Sequence, residues 1–545
     1  MTTPSLTTSA RFIAGCMLVC SAAPAVAQPR ADLILTNGKV ITVDERFTIA
    51  QAVAVVGDRI VAVGSNQDIT RLAGPQTRRI DAHGRAVIPG LIDNHMHVLR
   101  AGATWTQEVR LDGVTSRRQA LDRIRARVAV LPAGAWVYTL GGWALEQFAD
   151  DRTPFTRQDL DRVAPNNPVL LQASYYEAFL NTRALEKLDP AGQHPSGRVP
   201  EDGFRALVAG LPAPSQSEAE ASTLAMITDL NRMGLTTFGS AGCEDNLLPA
   251  YRRWAGRREL NVRVFCIIGQ GAGTPQQADQ ALPRIAAMKL FQGTNDVDQV
   301  VYGESVYGPL HDPMFIPASD PKPEDLRQWR RLATEVAKAG MPLHVHANLT
   351  NTIDAFLDQI EAIHKEYPIK NLRWTLAHVN QLNAGHLARM RDLGLSAAVH
   401  PWAVINGGIN QRIFGDAALD MAPLATIQES GVTWGFGSDG SRANQIHPFT
   451  TLWWAVTGKM VGGTKVLRQT ISREDALIAH TRKNAYFVFQ EHNLGSIQAG
   501  KLADLLILDR DYLTVPAEQI KDITPLLTMV GGRIVHDTLS TTSTR

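Results

Sequence analysis

Eight apolar, strand-length runs, each followed by enough chain for a returning helix, are what most constrain the fold of this chain. They read "AVIPGLIDNH", "LTTFGSAG", "VRVFCIIG", "QVVYGES", "PLHVHAN", "WTLAHV", "LSAAVH" and "WGFGSD" between residues 86 and 439. Continuous apolar runs, rather than alternating ones, are what strands covered on both faces need. Strands that alternate with helix-length segments form parallel βα units, and eight such units close into a barrel with its chemistry at the carboxyl ends of the strands. The expected fold is therefore α/β, a (β/α)8 TIM-like barrel over residues 86–489.

Two segments break that rhythm. Residues 31–85 carry short β-branched strands separated by Asn-Gly and Gly-Asp turns, and residues 490–537 have the same texture. Both ends of the chain are thus expected to build one small β-sandwich. The span 100–218, between the first two barrel strands, is too long for a simple connection and reads as an inserted subdomain. It holds a ninth apolar run, "NPVLLQASYY", and the segment "EDGFRALVAGLPAPSQ", expected to lie over the barrel mouth.

The first 27 residues are set apart. Arg11 precedes an apolar run ending in Ala25-Val26-Ala27, the pattern of a cleaved signal peptide, so a periplasmic or secreted location is expected. The run is too short for a membrane span, and none is expected in the mature chain. Of four cysteines only Cys243 and Cys266 then remain, both in apolar runs, and they are expected to be buried free thiols. A net charge of +1 without a basic block excludes nucleic acid as the evident partner and leaves a small-molecule substrate.

The chemistry is concentrated at strand ends. His95 and His97 close the first strand, Glu304 the fourth, His346 the fifth, His378 the sixth and Asp439 the eighth. Fifteen histidines in 545 residues give about 0.4 His-X-His pairs by chance, so one pair is a weak motif. The joint placement of four histidines, a Glu and an Asp where a barrel makes strand ends converge is the stronger signal. Imidazole and carboxylate donors suit zinc, one or two ions. Metal-bound water would become hydroxide near neutral pH, a nucleophile for hydrolysis. Asp439 would act as base and then acid, with His378 as a ligand or a carbonyl-polarising group. His400, ending strand seven, and Trp143 and Tyr176, in the insertion, are expected to contact substrate. His344 is expected to face inward behind the ligands.

On these residues the chain resembles the amidohydrolase superfamily, within it the YtcJ-like (amidohydrolase-3) branch. The resemblance rests on "NGKVITVD", "PGLIDNHMH", "GLTTFGSAG", "HVHA", "LAHV", "GFGSDG" and the closing "ALIAHTRKNA…LGSIQAGKLADLLILD". It implies a barrel with a β-sandwich flank, one or two divalent metals, usually zinc, hydrolysis of non-peptide carbon–nitrogen bonds, and a homo-oligomer. It also implies that His95, His97, His346 and His378 are ligands and Asp439 a ligand and general base. Many members bridge two metals with a carbamylated lysine on strand four. Here "VVYGES" has none, so Glu304 is expected to bridge, with Lys289 in "AAMKLFQG" the competing candidate. In "SYYEAFLNTRAL", Tyr176 stands where relatives often carry a histidine, so a substrate contact is altered. The same scaffold also suits a lactone, phosphoester or aminated-ring substrate, or a non-catalytic metal-binding regulatory protein.

Overall fold

The computed structural model describes residues 1–2, 30–243, 248–269 and 271–539. All but the first two residues of the expected signal peptide lie outside the described residues.

At the centre is a sheet of eight parallel strands in chain order: β1 (Leu91–Met96), β2 (Leu235–Ala241), β3 (Arg263–Ile268), β4 (Val297–Glu304), β5 (Leu343–Ala347), β6 (Thr375–His378), β7 (Ser396–Val399) and β8 (Thr433–Phe436). They correspond to the eight apolar runs. Helices cover the outer face. Pro323–Lys338 buries Trp329, Leu332, Ala333, Val336 and Ala337, the i, i+3, i+4, i+7, i+8 stripe of a helix lying on a sheet.

The ladder does not run from β8 to β1; side chains and backbone beyond the strands close that seam. Asp93 in β1 accepts from the backbone N–H of Ser438 at 3.0 Å, and the Asp439 N–H donates to the His95 carbonyl at 2.9 Å. Asn484 donates to the Phe436 carbonyl at 2.7 Å and also to that of Ile92, spanning the two strands with one amide. Sequence texture carries no trace of this closure.

The first apolar run is divided at Pro89-Gly90. Ala86–Pro89 pairs with Leu505–Leu508 and Lys39–Ile41 in a six-stranded sheet, whereas β1 enters the barrel. A Cβ on Gly90 would lie 2.2 Å from Thr236 Oγ1, so only glycine lets the chain pass between the two layers here. The six-stranded sheet faces a four-stranded one made of Ala31–Thr36, Ala52–Val56, Arg59–Gly64 and Ala73–Asp81. Leu35, Val53 and Val55 from one sheet meet Val87, Leu505 and Ile507 from the other, and the sandwich core is thereby built from both ends of the chain.

Between β1 and β2 the chain forms a separate four-stranded sheet, ordered Arg198–Pro200, Glu177–Leu180, Val169–Ala173, Val137–Leu140. Trp143, Phe148, Phe155 and Phe179 pack together on it. It docks on the barrel where the Gly142 N–H donates to the Arg442 carbonyl at 3.0 Å and Ser174 Oγ to that of Ala443 at 3.2 Å.

One expectation is overturned. Cys243 and Cys266 form a disulfide, with Cα atoms 5.4 Å apart. β2 and β3 are neighbours, with Ala241 paired to Ile267, so the residue just past one strand meets a residue inside the next. Two apolar contexts far apart in sequence concealed that adjacency.

Candidate metal centre

Register sets the floor of the site. Glu304 is paired with Val345, Ala347 with His378, and His378 with Val399, so β4 to β7 end at one level. Gly303 lets Glu304 turn into the barrel: its φ is +139°, and a Cβ there would lie 1.9 Å from the His344 carbonyl oxygen. His378 and Asp439, at φ +72° and +54°, also hold left-handed conformations that non-glycine residues rarely adopt. Such conformations persist where surrounding structure enforces them.

The two Glu304 oxygens divide the histidines. Oε2 is 3.2 Å from His95 Nε2 and 3.7 Å from His97 Nε2, whereas Oε1 is 3.2 Å from His346 Nδ1 and 3.0 Å from His378 Nε2. Asp439 joins the first pair, its Oδ1 3.1 Å from His97 Nε2 and 3.8 Å from His95 Nε2. Two donor groups result, His95–His97–Asp439 and Glu304–His346–His378, each with its ligand atoms within 4.8 Å of one another. His97 is not in the strand, as the His-X-His alternation suggested, but one residue beyond it, at the start of helix Val98–Gly102.

These residues fit a pair of divalent metals. His95 Nε2 is fully buried and has no hydrogen-bond partner of good geometry, although Glu304 Oε2 is close. It is aimed at the space between the carboxylates. The second nitrogens of His95, His378 and His346 are held from behind, as ligating imidazoles require. His95 Nδ1 meets His344 Nε2 at 2.9 Å, His378 Nδ1 meets His400 Nδ1 at 2.6 Å, and His346 Nε2 meets the Asp312 carboxylate at 2.8 Å.

Electrostatics follow from this crowding. Burial opposes the charged form of Glu304, but the surrounding histidines, His95 foremost, outweigh it and hold the carboxyl well below its usual range. Asp439 is likewise lowered to about 2, against burial, by the hydrogen bond from His97 and nearby imidazoles. His378 is lowered to about 4 by burial and by the charge of His346. Both carboxylates are therefore ionised at neutral pH and His378 is neutral, whereas Asp312 and Glu304, against burial, push His346 up to about 10, so a cation bound there displaces a proton from His346.

Above the donors is a cavity of about 720 Å³. Ala241, Gly242 and Gly269 form one wall, and Tyr175, Glu201, Arg205 and Arg100 stand at its mouth. The segment expected to overlie the mouth is there, as helix Glu201–Ala209. Trp402 also lines the cavity, stacks on His378 with ring centroids 4.7 Å apart, and donates to Asp439 Oδ2 at 2.9 Å. Sequence reasoning missed it, although it follows the strand-end His400 by two residues.

Three expected substrate contacts are placed elsewhere. Trp143 is fully buried in the aromatic core of the insertion, where its neighbours fix it. Tyr176 packs on Phe315 with ring centroids 5.5 Å apart, beside Ile409 and Arg412, while its neighbour Tyr175 lines the cavity. His400 is buried below the cavity and bonds to His378. Lys289 is exposed just past helix Pro275–Ala287, on the approach to β4 and not at its carboxyl end, and does not compete with Glu304.

Comparison with known proteins identifies the fold and the family. N-substituted formamide deformylase of Arthrobacter pascens is 26% identical over 93% of this chain and 98% of its own. Among solved structures, an uncharacterized metal-dependent hydrolase from Pyrococcus furiosus superposes with a TM-score of 0.63 at 20% identity, covering 88% of this chain and all of that one. Atrazine chlorohydrolase TrzN from Arthrobacter aurescens TC1, complexed with zinc, does so with a TM-score of 0.52 at 16% identity, over 93% and 96% of the two chains. The amidohydrolase family model matches residues 78–536, a span that takes in all eight strands and every donor described above, and the chain belongs to the amidohydrolase family.

Proposed function

We propose that this protein is a zinc-dependent hydrolase that cleaves the carbon–nitrogen bond of small-molecule amides. The observation that carries the reading is the division of Glu304 between two histidine groups beside a buried, ionised Asp439. His95, His97 and Asp439 would hold one ion, and His346 and His378 the other, with Glu304 between them. A zinc ion held by these residues would supply Lewis acidity toward an amide carbonyl and would lower the pKa of water to about 7.

The protein's own residues do the rest. Asp439 takes the proton of the attacking water as the carbon–oxygen bond forms, and returns it to the leaving nitrogen as the carbon–nitrogen bond breaks, yielding acid and amine. The Trp402 indole N–H fixes Asp439 Oδ2, which leaves Oδ1 toward the histidines. His344, His400 and Asp312 orient the imidazoles in front of them.

Export to a periplasm or beyond is part of the proposal. It is supported by the apolar segment before Gln28 and by the Cys243–Cys266 disulfide, a bond that oxidising compartments sustain.

Elemental analysis together with an amide panel tests the function. The expected result is two equivalents of metal in the wild type, at most one in Glu304→Ala, and release of amine from an amide that stops on chelation and returns with zinc. Amide hydrolysis that is metal-independent, or absent after reconstitution with zinc and manganese, overturns it.

A further inference from the structure

Three arginines stand at or near the cavity mouth, Arg100 and Arg205 in its lining and Arg442 close to both. Arg100 is three residues past His97, on the helix that His97 begins, so it stands about 4.5 Å further along the helix axis. Arg442 is three residues past Asp439. Arg205 comes from the inserted subdomain, on helix Glu201–Ala209, and its guanidinium lies over the Tyr175 ring at 5.4 Å. Among the described residues, no side-chain hydrogen bond or ion pair is made by Arg100, Arg205 or Arg442. This contrasts with most buried or half-buried arginines of the molecule, such as Arg263 on Asp504 at 2.9 Å and Arg110 on Asp112 at 2.9 Å.

Burial, then the like charge of Arg100 and more weakly that of Arg205, push the Arg442 guanidinium below its ordinary value, against the opposing charges of Tyr175 and Glu108. Among the described residues that line the mouth, Glu201 is the acidic one; burial pushes its carboxyl up against the opposing charge of Arg205, with which it makes no ion pair. Like charges gathered at a cavity rim, two of them exposed and each with its fork of donors unused, attract an anion that can take those donors. The metal donors occupy the cavity floor and the cations its rim.

We infer that Arg100, Arg205 and Arg442 form a subsite for a carboxylate carried by the substrate, remote from the scissile bond, so that the preferred amides are anionic. This rests on the amide-hydrolase reading above. Arg100 and Arg205 line the cavity and would contact the carboxylate, with Arg442 adding charge from behind Arg100. The arrangement also gives the inserted subdomain a role, because Arg205 reaches the site only through the docking of that sheet onto the loop beyond β8.

The test uses the metal-loaded full protein and a matched pair of amides, 6-formamidohexanoate and N-hexylformamide, with hexanoate as a binding probe. Wild type is expected to prefer the anionic amide at least tenfold in kcat/KM. In Arg100→Ala/Arg205→Ala, both positions being exposed, the preference should fall at least tenfold and the calorimetric Kd for hexanoate should rise at least tenfold. Arg205→Lys should recover part of both effects, since it keeps the charge. A preference and a hexanoate Kd that the double variant leaves within twofold of wild type overturn the subsite. If neither amide is turned over, the hexanoate titration still decides the subsite, whereas the missing turnover counts against the hydrolase reading alone.

Discussion

The indole N–H of Trp402 donates to Asp439 Oδ2 at 2.9 Å, tying the loop after β7 to the residue that follows β8. The same ring stacks on His378, so one side chain touches the proposed proton carrier and a metal donor. A hydrogen bond to an ionised carboxylate contributes about 1.5–3 kcal/mol. Trp402→Phe keeps the stacking and removes the bond, and kcat is expected to fall about 10- to 100-fold by that figure. Bound metal, measured by elemental analysis, should stay within a fifth or so of the wild-type amount. Unchanged kcat would show that Asp439 needs no such restraint.

His344 offers a second test. It stands behind His95, Nε2 to Nδ1 at 2.9 Å, and both are buried. A partner on the rear nitrogen fixes the tautomer and the ring plane, and its removal typically weakens metal binding about 10- to 100-fold. His344→Phe should show that loss in a chelator competition titration, with the fold intact by circular dichroism. Equal metal affinity would make His344 a packing residue.

Much of this molecule is readable from its sequence, for a physical reason. Strands covered on both faces must be apolar throughout, so β1 to β8 stand out as runs, and polar residues at their ends are conspicuous against them. His95, Glu304, His346, His378 and Asp439 are legible for that reason. What lies behind them is less so. Asp312 is held in place by backbone N–H groups of Asn348 and Leu349, a tertiary contact with no local signature. Aromatic residues mislead because the same ring serves a core or a pocket wall. Trp143 and Trp402 differ only in what the fold places beside them. Arg205 lies inside a segment recognised as overlying the mouth, but the value of its charge depends on Arg100 and Arg442, far away in the chain.

The Cys243–Cys266 disulfide closes a loop with a sequence separation of 23 residues. Cross-linking such a loop stabilises the folded state by about 3 kcal/mol in the chain-entropy account. It also ties the segment just past β2 to the interior of β3, next to Ala241 and Gly242 in the cavity wall. Cys243→Ser/Cys266→Ser is therefore expected to melt several degrees below the wild type, and dithiothreitol to lower the wild-type midpoint toward that of the variant. A melting temperature insensitive to both changes would remove the disulfide from the stability of the barrel.

The bridging position of Glu304 depends on the residue before it. Gly303 has a φ of +139°, a region of backbone space that side chains are excluded from, and its missing Cβ would sit 1.9 Å from the His344 carbonyl oxygen. Neither obstacle is relieved by a rotamer change, because both involve main chain. Gly303→Ala must therefore shift β4 away from β5 or rotate the peptide that carries Glu304. Either movement pulls the carboxylate off at least one histidine pair, since the two Glu304 oxygens are already engaged at 3.0–3.7 Å with both. The expected outcome is a stability loss of about 2 kcal/mol or more, read by denaturant unfolding, together with loss of at least one metal equivalent. Glu304→Gln separates the two effects: it leaves the backbone untouched, so it should lose metal, yet unfold close to the wild-type midpoint when both are compared metal-free in chelator. If Gly303→Ala binds a full complement of metal, the tight β4–β5 contact is not what aims Glu304 into the barrel.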